Sequence, residues 1–198
     1  MVTAPLSNLV TIQPARPTSG VAYVRPTIND LWAWLEEVAD PEIPVVSVTD
    51  LGIVRKVAWS EDGSDTAVVT VTPTYSGCPA TDVIRQEIQR ELLNRGVPHV
   101  ELRVQLSPAW TTNWLTEAAR QKLRAYGIAP PTEQASEHHS AMAASLRTLG
   151  QEWHTPSLTC PRCESTNTER ISQFGSTPCK SLHRCLDCRE PFDYFKCH

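Results

Sequence analysis

Nowhere does the sequence hold an unbroken apolar run approaching the roughly 20 residues that a helix needs to cross a bilayer, which excludes a spanning helix. The opening MVTAPLSNLVTIQPARPTSG lacks the basic start and apolar block of a secretory signal, so a cytoplasmic protein is expected. A basic excess is missing as well. With 18 Lys and Arg against 22 Asp and Glu, the net charge of −4 argues against a nucleic-acid binder, whose affinity rests on neutralising phosphates. Residues 160–198 alone carry six basic against five acidic side chains, too weak a footprint to change that reading, and protein partners fit better. No Glu-x-x-His occurs, so the ligand set of a di-iron helix bundle is absent. No internal repeat and no low-complexity tract is present.

Cysteine is not scarce. There are seven in 198 residues, and in a reducing compartment they are more readily metal ligands than disulfide partners. Cys160-x-x-Cys163 and Cys185-x-x-Cys188, with twenty-one residues between them, approximate a two-knuckle zinc ribbon. A two-residue spacing lets both thiolates of a knuckle face one ion, and two knuckles complete a tetrahedron with Zn–S of about 2.3 Å. A unit of about forty residues has too small an apolar core to fold on, so the metal supplies the missing stability. A structural zinc is the expected occupant, iron being the alternative for four sulfurs. A redox dithiol would need only one of the knuckles. Cys179 in FGSTPCK and Cys197 in DYFKCH each read as an accessory ligand or a reactive thiol, against a packed small residue for Cys179 and an exposed end residue for Cys197.

Ahead of the ribbon the patterning predicts one small α+β domain of helix, hairpin, helix, strand and a last helix. Residues 1–26, with four prolines, read as a mobile arm. A helix capped by Thr27 carries Ile28, Leu31, Leu35 and Val38 on one stripe and stops at Asp40-Pro41. VVSVTDLGIVRKVAW reads as a strand with a bulge at Gly52, SEDGSD as a turn, and AVVTVTPT as the return strand. The next helix buries Ala80, Ile84, Ile88 and Leu92 and ends at Gly96. VELRVQL alternates as a half-buried strand, and TNWLTEAARQKLRAYG is a helix ending at Gly127. Residues 129–157 form a linker with a short helical run at AMAASLRTLGQEW; His138-His139 within it reads as solvated. The expected division is thus 1–26, 27–128, 129–157 and 158–198.

Cys78, in TYSGCPATD, sits between Gly77 and Pro79 just before a helix. Pro79 suits a first helical position, which would place Cys78 at the N-cap, where free amides and the helix dipole favour a thiolate and lower its pKa. A buried cysteine at a bend is the competing reading. No His or Asp partner is placed near it, so a Cys-His hydrolase has no support.

Asp40-Pro41-Glu42-Ile43-Pro44, Asp50-Leu51-Gly52 and Cys78-Pro79 together resemble the small iron–sulfur assembly domain of SufT-like proteins, over about residues 27–106. LSPAWTTNWLTEAARQKLRAYGIAPP, the ribbon, FGSTPCK and PFDYFKCH extend the likeness to the PaaD subunit family of the phenylacetyl-CoA epoxidase system, over about residues 27–198. The resemblance implies a non-catalytic accessory role in aerobic phenylacetate degradation. It would be maturation of a client, chiefly the flavin and iron–sulfur reductase of the complex, with epoxidase subunits as partners. A structural or electron-transfer subunit of the same complex is the alternative, and self-association as a homodimer stays open. The resemblance makes Cys78 a transient ligand of iron or an iron–sulfur cluster, with Asp40, Glu42 and Cys179 as weaker candidates. For Asp40 and Glu42 a helix-terminating turn with hydrogen-bonded carboxylates remains the other reading.

Overall fold

The computed structural model describes residues 23–131 and 158–196. The expected helical run in the linker, His138-His139 and Cys197 lie outside the described residues.

Helix α1 (Ile28–Leu35) begins at a capping box: the Thr27 hydroxyl accepts from the Asp30 amide, and the Asp30 carboxylate accepts from the Thr27 amide. Leu31 and Leu35 are fully buried on its inner face. The chain then leaves the helix and folds back on itself through Pro41, with Val48 N–H donating to Val38 O at 2.9 Å. Strand β1 (Val54–Trp59) and strand β2 (Thr66–Val71) make an antiparallel hairpin, Val57 facing Val69. Its turn is closed by the Asp62 carboxylate accepting from Ser64 N–H, with Gly63 at φ +78°. Helix α2 (Ala80–Asn94) crosses back so that strand β3 (His99–Val104) pairs parallel with β2. The sheet order is β1-β2-β3, and the buried faces of α1 and α2 pack against it. Ala80, Ile84, Ile88 and Leu92 are all buried, as their spacing predicts.

Four expectations are corrected. Val45–Ile53 is not strand: Ser47 N–H donates to Asp50 Oδ2 and Asp50 N–H to Ser47 Oγ, and these local bonds replace ladder pairing, so β1 starts only at Val54. Gly52 is not a bulge but a turn residue at φ +64°, seated where a Cβ would lie 2.5 Å from Trp114 O. At the end of β3 the alternation does not bury its last members: Val104, the final residue of the strand, and Leu106 beyond it are both exposed. The final helix starts late: a 3₁₀ turn (Thr112–Trp114) precedes α3 (Glu117–Tyr126), whose N-cap Thr116 accepts from Ala119 N–H. Of the expected arm, residues 1–22 lie outside the described residues; at its end Arg25 pairs with Asp65, and Trp59 Nε1 donates to Pro26 O.

Strand β4 (Ile128–Ala129) joins a second sheet of order β4-β7-β6-β5, in which β5 (Thr168–Ser172), β6 (Lys180–Cys185) and β7 (Pro191–Phe195) form an antiparallel meander. β4 pairs parallel with β7, Ile128 opposite Asp193. At the far end of that meander Cys179 and Phe195 are buried in the same core as Leu51, Ile53 and Ile84. Phe195 meets Trp110 edge-to-face at 5.9 Å, and Trp110 Nε1 donates to Leu51 O at 2.8 Å. No helix among the described residues is long and apolar enough to cross a membrane.

Gly52→Ala combines a left-handed backbone with a clash against main chain, so it should destabilise the protein by about 2 kcal/mol or more, read as a lowered urea midpoint at unchanged slope.

Candidate functional site

Two sulfur centres are built by different means. In the first, Cys160, Cys163, Cys185 and Cys188 bring all four Sγ atoms within 4.8 Å of one another. Each Cys-x-x-Cys is followed by a non-glycine residue in the left-handed region, Glu164 at φ 62° and Arg189 at φ 66°. That turn aims the next amide at sulfur: Ser165 N–H at Cys163 and Glu190 N–H at Cys188. Arg162 N–H donates to Cys160 Sγ at 3.4 Å, and the Asp187 and Cys188 amides serve Cys185. The knuckles are therefore two copies of one device.

The donor set fits a single ion. Around a metal with bonds of about 2.3 Å, tetrahedral sulfurs lie about 3.8 Å apart, and the Cys160–Cys188 and Cys163–Cys185 pairs stand at 3.8 and 3.5 Å. Without a cation the quartet cannot ionise together. The Cys188 amide, opposed by burial and joined by the Asp187 amide and the neighbouring thiols, brings the Cys185 thiol down to about 7. The Glu190 amide lowers the Cys188 thiol, but burial and the hydrogen bonds of Cys163, Cys185 and Cys160 push it up to about 12.

The second centre is a cavity of about 10 Å³ where the two sheets meet, and Asp40, Glu42, Cys78 and Cys179 all line it. Asp40 and Glu42 come from the turn after α1, Cys78 from the loop into α2, and Cys179 from the residue before β6. Asp40 Oδ1 accepts from the amides of Glu42 at 2.9 Å and Ile43 at 2.8 Å, so this carboxylate shapes the turn. Cys179 Sγ donates to Glu42 Oε2 at 3.2 Å and also contacts Thr177 Oγ1 at 3.1 Å. Ile43, Leu51, Ile53, Ile84 and Phe195 make most of the remaining wall apolar, and Thr74 adds one polar side chain to it.

Cys78 is not the N-cap of α2: that position falls one residue later, on Pro79, which has helical backbone at φ −66° and ψ −24°, although the Ala80 amide still reaches the Cys78 sulfur. The expected acidic thiol does not result. Burial outweighs the Ala80 amide, the Glu42 charge adds to it, and the Cys78 pKa is raised despite hydrogen bonds with Thr81 and Tyr75. Cys179 goes further: burial, with the Glu42 hydrogen bond and charge, pushes it up to about 12 against the lowering contacts of Thr177 and Lys180. Burial also raises Asp40, partly offset by the Glu42 and Ile43 amides and reinforced by the Glu42 charge. Tyr75, which the sequence reading passed over, is hydrogen-bonded to Cys78 and raised to about 12 by burial and by Cys78. Its place three residues before the cysteine was the available signal. Lys180 was missed as well; it is buried, 3.9 Å from Asp193, on the residue following Cys179.

Known families match the chain in two parts. A family model described as iron–sulfur cluster assembly protein matches residues 28–105, and one described as PaaD zinc beta ribbon domain matches residues 143–196. The chain is therefore of the class that couples an iron–sulfur assembly domain to a zinc ribbon. It is 46% identical over 172 residues, 87% of this chain and 94% of the relative, to a 1,2-phenylacetyl-CoA epoxidase subunit of Escherichia coli. It belongs to the PaaD family of epoxidase subunits. An Fe-S protein maturation auxiliary factor of Porphyromonas gingivalis is 36% identical over 98 residues, 49% of this chain and 90% of the relative. One of Bacillus subtilis is 33% identical over 87 residues, 43% of this chain and 82% of the relative.

Two outcomes follow from these sites. Asp40 titrates above its ordinary 3.8 in the folded chain, so the native state holds its proton longer than the unfolded one, and stability falls as pH rises through that interval. Asp40→Asn keeps the acceptor for both amides, so it should abolish that slope and leave the melting temperature at pH 7 unchanged or higher, while Asp40→Ala should lower stability by about 1–2 kcal/mol. Stripping the ribbon metal with a chelator should lower the melting temperature of the whole chain in one transition, because Cys179 and Phe195 belong to the common core; calorimetry would show it.

Proposed function

We propose that the chain is a non-catalytic maturation factor of the phenylacetyl-CoA epoxidase complex in aerobic phenylacetate degradation. It delivers iron or an iron–sulfur cluster to a client, the flavin and iron–sulfur reductase. The observation that carries this reading is the convergence of Cys78, Glu42 and Cys179 on one cavity. Two sulfurs and a carboxylate are a donor set suited to iron, and the family model over residues 28–105 is that of an iron–sulfur assembly protein. The names of the relatives, an epoxidase subunit and two maturation factors, point the same way.

In this reading Cys78 is the principal ligand of the cargo, Glu42 and Cys179 assist, and Asp40 holds the turn that presents Glu42. Protonated thiols in an apolar wall bind cargo at the cost of releasing protons, which favours handing it on. Cys160, Cys163, Cys185 and Cys188 hold a zinc ion that only stabilises the ribbon; the ion lies outside the transfer chemistry. Residues 27–128 act as the assembly domain and 158–198 as the ribbon, joined through 129–157, and the protein works in the cytoplasm among its epoxidase partners.

Reductase purified from cells carrying Cys78→Ser should hold at least tenfold less iron and acid-labile sulfide than reductase from wild-type cells, with the variant itself folded and zinc-loaded. Fully loaded reductase from those cells would remove the maturation role and leave a docking role in the complex.

A further inference from the structure

Size and spacing in the cavity say more about the cargo than the choice between iron and a cluster. Its volume of about 10 Å³ is room for one water-sized object. A two-iron, two-sulfide core has four heavy atoms, and the walls that would have to retreat for it are among the most buried in the protein: Ile43 and Leu51 are 1% exposed and Phe195 1%. Phe195 is further tied by Trp110, and its neighbour Lys196 donates to the Cys179 carbonyl at 3.0 Å. The ribbon side of the cavity is thus held by main-chain bonds and packing.

One pair of donors inside is already spaced for one ion. Two atoms bound to a common metal at about 2.0–2.3 Å stand about 3–3.5 Å apart, and Cys179 Sγ lies 3.2 Å from Glu42 Oε2. The hydrogen bond between them occupies the position that an ion would bridge. Cys78 lines the same space and is half-buried.

Building on the maturation reading, we propose that this cavity takes up a single ferrous ion, not an assembled cluster, and holds it between Cys78 and Cys179 with Glu42 as the oxygen ligand. The ribbon is then one wall of the cargo site. As the ion enters, each thiol releases its proton to water and its sulfur binds iron, which stays ferrous throughout, so no oxidant or reductant is required. The step also breaks the Cys179–Glu42 hydrogen bond, and both atoms turn to the same ion.

The test uses the full chain with its ribbon zinc-loaded, titrated anaerobically with ferrous ion, with and without added sulfide, followed by iron and labile-sulfide analysis and X-ray absorption at the iron edge. The expected product in both arms is one iron per chain, free of labile sulfide, with two sulfur neighbours, an oxygen shell and no iron–iron scattering. Cys179→Ser should remove one sulfur from that shell, and Cys179→Ser and Glu42→Gln should each weaken ferrous binding at least tenfold while zinc content and circular dichroism stay unchanged. Stoichiometric sulfide with an iron–iron shell would overturn the single-ion assignment and leave the maturation role standing. Ferrous binding indifferent to Cys179→Ser would overturn the part given to the ribbon. A wild-type chain that takes up neither iron nor cluster would overturn both readings.

Discussion

The burial of Cys179 and Phe195 against Leu51, Ile53 and Trp110 is the contact on which the remaining architecture depends. A four-cysteine ribbon of this size lacks an apolar core of its own; among the described residues the small cluster of Ala129, Cys160, Cys185 and Phe192 is nearly all it has. Its strands are held at one end by sulfur chemistry and at the other by the core of the preceding domain. The strand β6 runs from Lys180, beside the cavity, to Cys185, a member of the quartet. Order at the metal end and order at the cavity end are therefore properties of the same strand.

The six described cysteines divide by what surrounds them. Around the quartet, main-chain amides from Arg162, Ser165, Asp187, Cys188 and Glu190 point at sulfur, and donors of that kind favour the anion. Around Cys78 and Cys179, apolar side chains and the Glu42 carboxylate favour the neutral thiol. In the quartet burial and the neighbouring thiols compete with those amides, so Cys185 is brought down to about 7 while Cys188 is pushed up to about 12, and a cation is needed to hold all four as anions. In the cavity no such array of amides surrounds the sulfurs, which suits a temporary ion.

Local pattern carried much of the fold. The four-residue repeat of Ala80, Ile84, Ile88 and Leu92, the Thr27 cap and the Asp62-Gly63 turn are decided by neighbours within a helical turn or a hairpin, and each appears where the spacing places it. The segment Val45–Ile53 was misread because its β-branched residues are buried by tertiary packing while Ser47 and Asp50 bond their own backbone. Propensity and side-chain competition point in opposite directions there, and competition wins. Asp50 also accepts from Thr116 Oγ1 at 3.3 Å and Lys122 at 2.5 Å, which ties this turn to α3 across more than sixty residues. No window of sequence holds that pairing.

The ribbon quartet was legible because Cys-x-x-Cys places two ligands by backbone geometry alone, so chain order already contains the site. Cys78 and Cys179 were legible only as separate candidates, one before a helix and one beside a strand. That they share a cavity with Glu42, and that their thiols are hindered from ionising, depends on β4 pairing with β7 and on Phe195 entering the core. Distances across 137 residues and the exclusion of water are set by packing, and packing is a property of the folded chain.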